Sequence, residues 1–93
     1  MPSVVATIKV KEDKVEEAKR FLSQLAADTL AREKGTLAYL LHQRKGDPTT
    51  FVFYEKYASD ADLATHGKNL AGVGKEFGAL LAGAPQITYL EEI

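Results

Sequence analysis

The spacing of apolar residues changes once within the first third of the chain. Over residues 4–10 every second residue is apolar, which is the period of a β-strand. Over residues 14–33 apolar residues recur every three or four positions, and Val15, Leu22 and Leu25 lie on one stripe. The pattern therefore predicts a strand followed by an amphipathic helix.

Polar residues and a glycine mark the expected ends of the helices. Asp13 and Glu16 have the spacing of a capping box at the start of the first helix, and Ser59 and Asp62 mark the start of a second helix. Gly35 follows the first helix. We expect it to end that helix in the left-handed conformation.

Two further segments, residues 37–44 and Thr50–Tyr57, are rich in β-forming residues. The segment between them contains Gly46, Asp47 and Pro48, which favour a tight turn. The two segments are therefore predicted to form a hairpin.

The second helix is predicted to begin near Asp60 and to break or bend near Gly67. Four glycines fall within the segment HGKNLAGVGKEFG, and glycine weakens a helix interior. The apolar stripe resumes at Val73, and alternation returns over Gln86–Glu91. That last segment is predicted to be a fourth strand.

The predicted order is strand, helix, strand, strand, helix, strand, which is the ferredoxin-like βαββαβ arrangement of the α+β class. In this arrangement four antiparallel strands form one sheet, and both helices pack on one face. The chain has 93 residues, which is enough for only one hydrophobic core. Residues 1–93 are therefore interpreted as a single domain.

The hairpin strands are apolar on both faces. The first carries Leu37, Tyr39 and Leu41 on one side, and Ala38 and Leu40 on the other. An antiparallel sheet with one face in water usually alternates apolar with polar residues. The simplest cover for the second face is another copy of the chain, so we expect a homodimer formed through the open sheet face.

Composition excludes several classes of function. The net charge is -1, so no basic excess favours nucleic acid or an anionic membrane surface. No apolar run approaches the roughly 20 residues of a membrane span, and no secretory leader pattern is visible, so we expect a cytoplasmic protein. There is no cysteine, and His42 and His66 lack a metal-ligand spacing, so no metal site is expected.

A glycine-rich segment invites comparison with nucleotide-binding loops. GVGKEFG at residues 72–78 spaces its glycines as GxGxxxG rather than GxGxxG, and it lies in a helical region instead of following a strand. Small residues that let a helix bend or approach the sheet explain it better. No dinucleotide cofactor is expected.

The candidate catalytic residues are His66 and Glu55. Histidine titrates near neutral pH, but most histidines are structural or solvated. Glu55 lies on the apolar side of its strand, where a carboxylate needs a hydrogen-bond partner, so a structural anion is the alternative reading. Tyr57, Tyr54 and Phe53 are candidates for a substrate-binding wall, although such aromatic residues are more often core. His42 is expected on the strand surface or at an interface.

From residue 4 to residue 93 the chain resembles the antibiotic biosynthesis monooxygenase family, of dimeric α/β-barrel fold. The resemblance is carried by KVKEDKVEEAKRFL, EKGTLAYLLHQ, FVFYEKY with Glu55, ADLATH with His66, and GAPQITYLEEI. It implies two ferredoxin-like subunits placed sheet to sheet, with a pocket in each subunit between sheet and helices. Two positions depart from the family pattern: Tyr57 stands where many members have tryptophan, and Ala71 where many have a second histidine.

The resemblance implies a cofactor-independent monooxygenase acting on a hydroxylated aromatic or quinol. In such chemistry a base deprotonates a phenol, and the resulting anion reduces dioxygen directly. The alternatives are an isomerase of a small hydroxycarbonyl metabolite, in which His66 moves a proton without oxygen, and a non-catalytic ligand-binding dimer. Haem degradation is disfavoured because the chain has no tryptophan, and Thr7 stands near the position of an expected asparagine.

Overall fold

The computed structural model describes residues 1–93. The chain folds into four strands and three α-helices, with one 3-10 turn at Glu12–Lys14. In chain order the elements are β1 (Pro2–Lys9), α1 (Val15–Arg32), β2 (Thr36–Gln43), β3 (Thr50–Tyr57), α2 (Asp60–Ala71), α3 (Gly74–Leu80) and β4 (Gln86–Glu91). This order confirms the predicted ferredoxin-like arrangement, with the second helix divided in two.

The four strands form one antiparallel sheet in the order β2-β3-β1-β4. One face of the sheet packs against the helices. Residues of α1, α3, β1, β2 and β3 share a single buried cluster, in which Ala18 and Leu22 of α1 are fully buried. The two ends of the chain lie side by side, because β1 pairs with β4.

The bounds of α1 were predicted to within one residue, but the predicted caps at its two ends were wrong. The 3-10 turn precedes α1, so its N-cap is Lys14, which makes no side-chain capping bond, and Asp13 lies inside the turn. Gly35 does not adopt the left-handed conformation; Gly46 in the hairpin turn, with φ 81, is the one residue with positive φ. The helix ends instead at the extended Glu33, whose N–H donates to the carbonyl of Thr29.

The start of α2 was predicted correctly, and its break was not. Ser59 caps the helix by accepting a hydrogen bond from the backbone N–H of Asp62. The helix continues through Gly67 and ends at Ala71, with Gly72 and Val73 separating it from α3. The break therefore lies five residues later than predicted, where two glycines flank Val73 and weaken the helix more than one glycine alone.

A β-bulge changes the face of one predicted residue. Thr36 pairs with Tyr57 and Ala38 with Lys56, which leaves Leu37 as the extra residue in β2. Leu37 is 48% exposed and does not share the buried face of Tyr39, contrary to the alternation predicted from sequence. Because of the bulge, Thr36 and Tyr39 both face the helices although they are three residues apart.

The face of the sheet that lies away from the helices is partly apolar. Leu40, Tyr54 and Leu90 on this face are 51%, 37% and 45% exposed. The pairing of β1 with its neighbours places Val5 between Tyr54 and Thr88 on the same face. The structure therefore contains the exposed apolar patch on which the dimer expectation depends.

Replacing Gly35 with alanine should lower the free energy of unfolding by about 1–2 kcal/mol. A methyl group at Gly35 would overlap the carboxyl group of Asp62, and moving that carboxyl group would break its bond from the Ser59 hydroxyl at the start of α2. Urea denaturation measures the change. Gly78→Ala is the matched control: it meets open space within α3, so it should leave stability unchanged or raise it.

Candidate active site

A cavity of about 550 Å³ lies between the helix-covered face of the sheet and α2 and α3. Twelve of its 17 lining residues are hydrophobic, so its walls suit an apolar ligand. Ile87 and Tyr89 of β4 pair with Ala6 and Val4 and therefore face the same side as the cavity floor. They are 44% and 70% exposed, because the helices do not cover β4, and they border an opening to solvent.

His66 and Glu55 both line this cavity and are almost fully buried, at 5% and 6% exposure. His66 lies on the sheet side of α2, two turns after the Ser59 cap. Glu55 projects from β3 on the same face as Phe53, which also lines the cavity. The structure thus brings together the two residues predicted to be catalytic and one predicted substrate contact.

The imidazole of His66 is held by Glu33, which follows the last residue of α1. Nδ1 of His66 lies 3.0 Å from Oε1 of Glu33, and the two side chains are 6% and 7% exposed. Glu33 also accepts hydrogen bonds from the Thr36 hydroxyl at 2.8 Å and from the Asn69 amide at 3.1 Å. Side chains from β2 and α2 therefore hold Glu33 in place beside His66.

The environment of Glu33 keeps it ionised. Burial alone would raise the pKa of Glu33, but hydrogen bonds from Thr36 and Asn69 and the charge of His66 outweigh burial and lower that pKa. An ionised Glu33 only accepts, so Nδ1 of His66 donates to it. Nε2 of His66 has no partner within the chain and is not fully enclosed.

Glu55 has the opposite electrostatic environment. Burial raises the pKa of Glu55, and the hydrogen bond from Tyr57, at 2.6 Å to Oε1, offsets this only in part. Burial and the neighbouring Glu55 also raise the pKa of Tyr57, so its hydroxyl stays protonated and keeps donating. The pKa of Glu33 is thus lowered and the pKa of Glu55 raised, although both carboxyl groups lie near His66. In enzyme sites, opposite pKa shifts of this kind separate an acid from a base.

The structure places the remaining predicted substrate contacts elsewhere. Tyr57 is completely buried behind Glu55 and does not line the cavity. Tyr54 points to the opposite face of the sheet, where it pairs with Leu40 and Val5, so it cannot contact a ligand beside His66. His42 lies exposed on that opposite face, as expected for a strand-surface residue.

Sequence reasoning gave no role to Glu33, and it considered Tyr39 only as one of four tyrosines that could line a pocket. Glu33 follows the last turn of α1, where the helix dipole disfavours a negative charge. A glutamate at such a position suggests that a specific hydrogen-bond partner stabilises it, and this was the signal available in the sequence. Tyr39 pairs directly with Glu55 across the sheet and lines the cavity. Its ring packs edge-on against His66, with centroids 4.8 Å apart.

No group of three or more His, Cys, Asp or Glu side chains is arranged so that it could hold a metal ion. None of the helices combines the length and the apolar character needed to cross a membrane.

Replacing Glu55 with glutamine should raise the free energy of unfolding at pH 7–8 by about 1 kcal/mol. The pKa of Glu55 is raised by burial, so its stabilising contribution is complete below the unfolded value, near 4.3, and is lost as pH rises through the folded value. Glutamine can still accept from Tyr57 and carries no charge. Thermal melts from pH 4 to pH 8 test this prediction. The difference in stability between Glu55→Gln and wild type should become small toward pH 4.

The fold and site define a ferredoxin-like domain with a histidine–carboxylate pair at the end of an apolar cavity. The model of the family described as antibiotic biosynthesis monooxygenase matches residues 1–82. The chain belongs to this family. No protein among the curated sequences matches it significantly.

Solved structures agree with this assignment. A candidate antibiotic biosynthesis monooxygenase from Caulobacter crescentus is 36% identical, with a TM-score of 0.91 over 99% of this chain and 89% of that chain. A protein from Pseudomonas aeruginosa is 29% identical, with a TM-score of 0.87 over 99% and 93%. A candidate monooxygenase from Nitrosomonas europaea, at 24% identity and a TM-score of 0.88 over 100% and 99%, is similar in fold.

Proposed function

We propose that the protein is a cofactor-independent monooxygenase of a hydroxylated aromatic or quinol, with His66 as its base. The observation that carries the proposal is the pairing of Nδ1 with Glu33 on a histidine that lines an apolar cavity. We assign Nε2, which has no partner within the chain, as the proton acceptor. Glu55 supplies a second carboxyl group on the same cavity. Family membership supports this class of reaction.

The cavity walls suit a flat aromatic substrate. Phe53 and Tyr39 stack with centroids 4.4 Å apart and form an aromatic surface on the floor, and Phe77 of α3 contributes a further ring. A phenolic hydroxyl directed at the polar end would donate to Nε2 of His66. The charged groups lining the cavity are few, so an uncharged ring system binds better than a polyanion.

The proposed reaction begins with proton transfer. The phenolic O–H bond breaks, the proton moves to Nε2, and the electron pair stays on oxygen, which makes the ring electron-rich enough to reduce dioxygen. A quinol with a free ring carbon then gains a C–O bond, and the O–O bond breaks as water leaves. One quinol and one O₂ give one hydroxyquinone and one water, and all four electrons come from the quinol.

Oxygen uptake with a panel of mono- and bicyclic quinols tests the proposal. We expect one O₂ consumed per product and one ¹⁸O atom from labelled O₂ in the product. Non-enzymatic autoxidation yields hydrogen peroxide instead, so added catalase would return oxygen in that case and should return none here. Uptake that requires added iron or flavin would contradict the cofactor-independent reaction.

The two alternatives have different signatures in the same preparation. An isomerase of a hydroxycarbonyl compound would exchange a substrate C–H for solvent deuterium without consuming oxygen. A non-catalytic binding dimer would bind an aromatic ligand and do neither. Either result would replace the monooxygenase proposal.

We further propose that the functional form is a homodimer joined through the open face of the sheet. The support is the exposed apolar patch of Leu40, Tyr54 and Leu90. Monomeric soluble proteins seldom leave a large contiguous apolar patch in water. Sedimentation velocity at micromolar concentration should give a dimer, and a stable monomer would remove the proposal.

A further inference from the structure

The hydroxyl group of Tyr39 has no hydrogen-bond partner within the chain, although the residue as a whole is almost fully buried. Tyr39 is 3% exposed, and its hydroxyl makes no hydrogen bond within the chain. The oxygen is nevertheless not fully enclosed by protein atoms. Because Tyr39 lines the cavity beside His66, the cavity is the space into which this oxygen opens.

Tyr57 provides the comparison within the same fold. It is equally inaccessible, and its hydroxyl donates to Glu55 at 2.6 Å. Buried tyrosine hydroxyls normally find such a partner, because an unpaired one loses its hydration without replacement. The Tyr39 hydroxyl has no such partner within the chain and is therefore free to bond a molecule that enters the cavity.

The position of Tyr39 relative to the base is fixed by packing. Its ring stacks on Phe53 at 4.4 Å with planes 20° apart, and it meets the His66 ring edge-on at 4.8 Å. Tyr39 is also the direct cross-strand partner of Glu55. A molecule whose oxygen approaches His66 in the cavity thus meets this tyrosine as its neighbour.

The Tyr39 hydroxyl is a donor rather than an anion. Burial raises the pKa of Tyr39 strongly, and the charges of Glu55 and Glu33 raise it further. The O–H bond therefore stays intact at any pH at which the protein works. A protonated phenol can donate one hydrogen bond, and a newly formed anion is the acceptor that gains most from it.

We propose that the Tyr39 hydroxyl donates a hydrogen bond to the substrate oxygen that becomes a phenolate when His66 removes its proton. The substrate O–H bond breaks, an N–H bond forms on Nε2, and the electron pair stays on the substrate oxygen. The proton of Tyr39 stays on Tyr39. This role makes Tyr39 a catalytic residue, and it rests on the phenol site of the proposed function but not on the oxygen step.

The test uses 4-nitrophenol, whose visible absorbance reports its ionisation, with wild type and Tyr39→Phe. Wild type should lower the pKa of the bound probe below that of the free phenol. In Tyr39→Phe the bound pKa should rise by about one to two units, as expected for the loss of a hydrogen bond to a charged oxygen. Lys68→Ala changes an exposed residue of α2 that does not line the cavity and should behave as wild type.

The outcomes separate this role from the monooxygenase reaction. Equal ionisation of the probe in wild type and Tyr39→Phe overturns the role of Tyr39, and so does failure of wild type to bind the probe at millimolar concentration. A shifted probe in a protein that consumes no oxygen supports the role and removes the oxygenase. Phenylalanine keeps the stack on Phe53, so the melting temperature should stay within a few degrees.

Discussion

Replacing His66 with alanine should lower turnover of a quinol substrate by about a hundredfold or more, the range for removal of a general base. Alanine leaves the cavity without a proton acceptor between Glu33 and the substrate. Oxygen uptake under saturating substrate measures the loss. Glutamine at the same position can still donate to Glu33 but cannot take a proton, so His66→Gln should lose as much.

Lys68→Ala is the matched control, because this exposed residue of α2 does not line the cavity. It should retain wild-type turnover. If His66→Gln kept its activity and lost several degrees of melting temperature, His66 would be a packing residue. The monooxygenase proposal would then lose the observation that carries it.

Replacing Glu33 with glutamine should lower turnover by about tenfold to a hundredfold, less than the loss of His66 itself. The neutral amide no longer fixes the proton on Nδ1, and it no longer stabilises the imidazolium that forms when the base takes a proton. Steady-state kinetics should show the loss mainly in kcat. A change confined to KM would place Glu33 in substrate binding instead.

The same substitution should also lower the free energy of unfolding by about 2 kcal/mol at pH 7. The pKa of Glu33 is lowered in the fold, so its stabilising contribution is complete above the unfolded value and is lost as pH falls through the folded value. Wild type and Glu33→Gln should therefore converge in acid. Glu16→Gln, an exposed carboxylate of the same helix at 77% exposure, should change neither property.

The order of elements could be predicted from the sequence. Each strand or helix has a characteristic spacing of apolar residues, and polar or glycine residues mark its ends. The fourth strand and β3 were predicted with their observed bounds. The bulge at Leu37 was not predictable, since it depends on pairing between β2 and β3 and leaves no local mark. The position of the break after α2 was also not predicted, because the sequence alone cannot rank Gly67 against Gly72 as the point where the helix ends.

The candidate site was predictable only in part. His66 and Glu55 were named from their residue types and placement, and the fold brings them to one cavity. Phe53 and Tyr54 are adjacent in a strand, so strand alternation alone excludes one of them from any single pocket. Glu33 and His66 are 33 residues apart, and their contact requires the crossing of two helices over the sheet.

The bulge at Leu37 connects the β2–β3 hairpin to His66 through Thr36 and Glu33. Thr36 reaches Glu33 because one additional residue in β2 turns it toward the helices. Deleting that residue would leave a strand of ordinary length, yet it would turn Thr36 outward and withdraw a donor from Glu33. In natural lineages, gaps at this point of β2 should therefore be rarer than in the hairpin loop, where length affects no contact with the base.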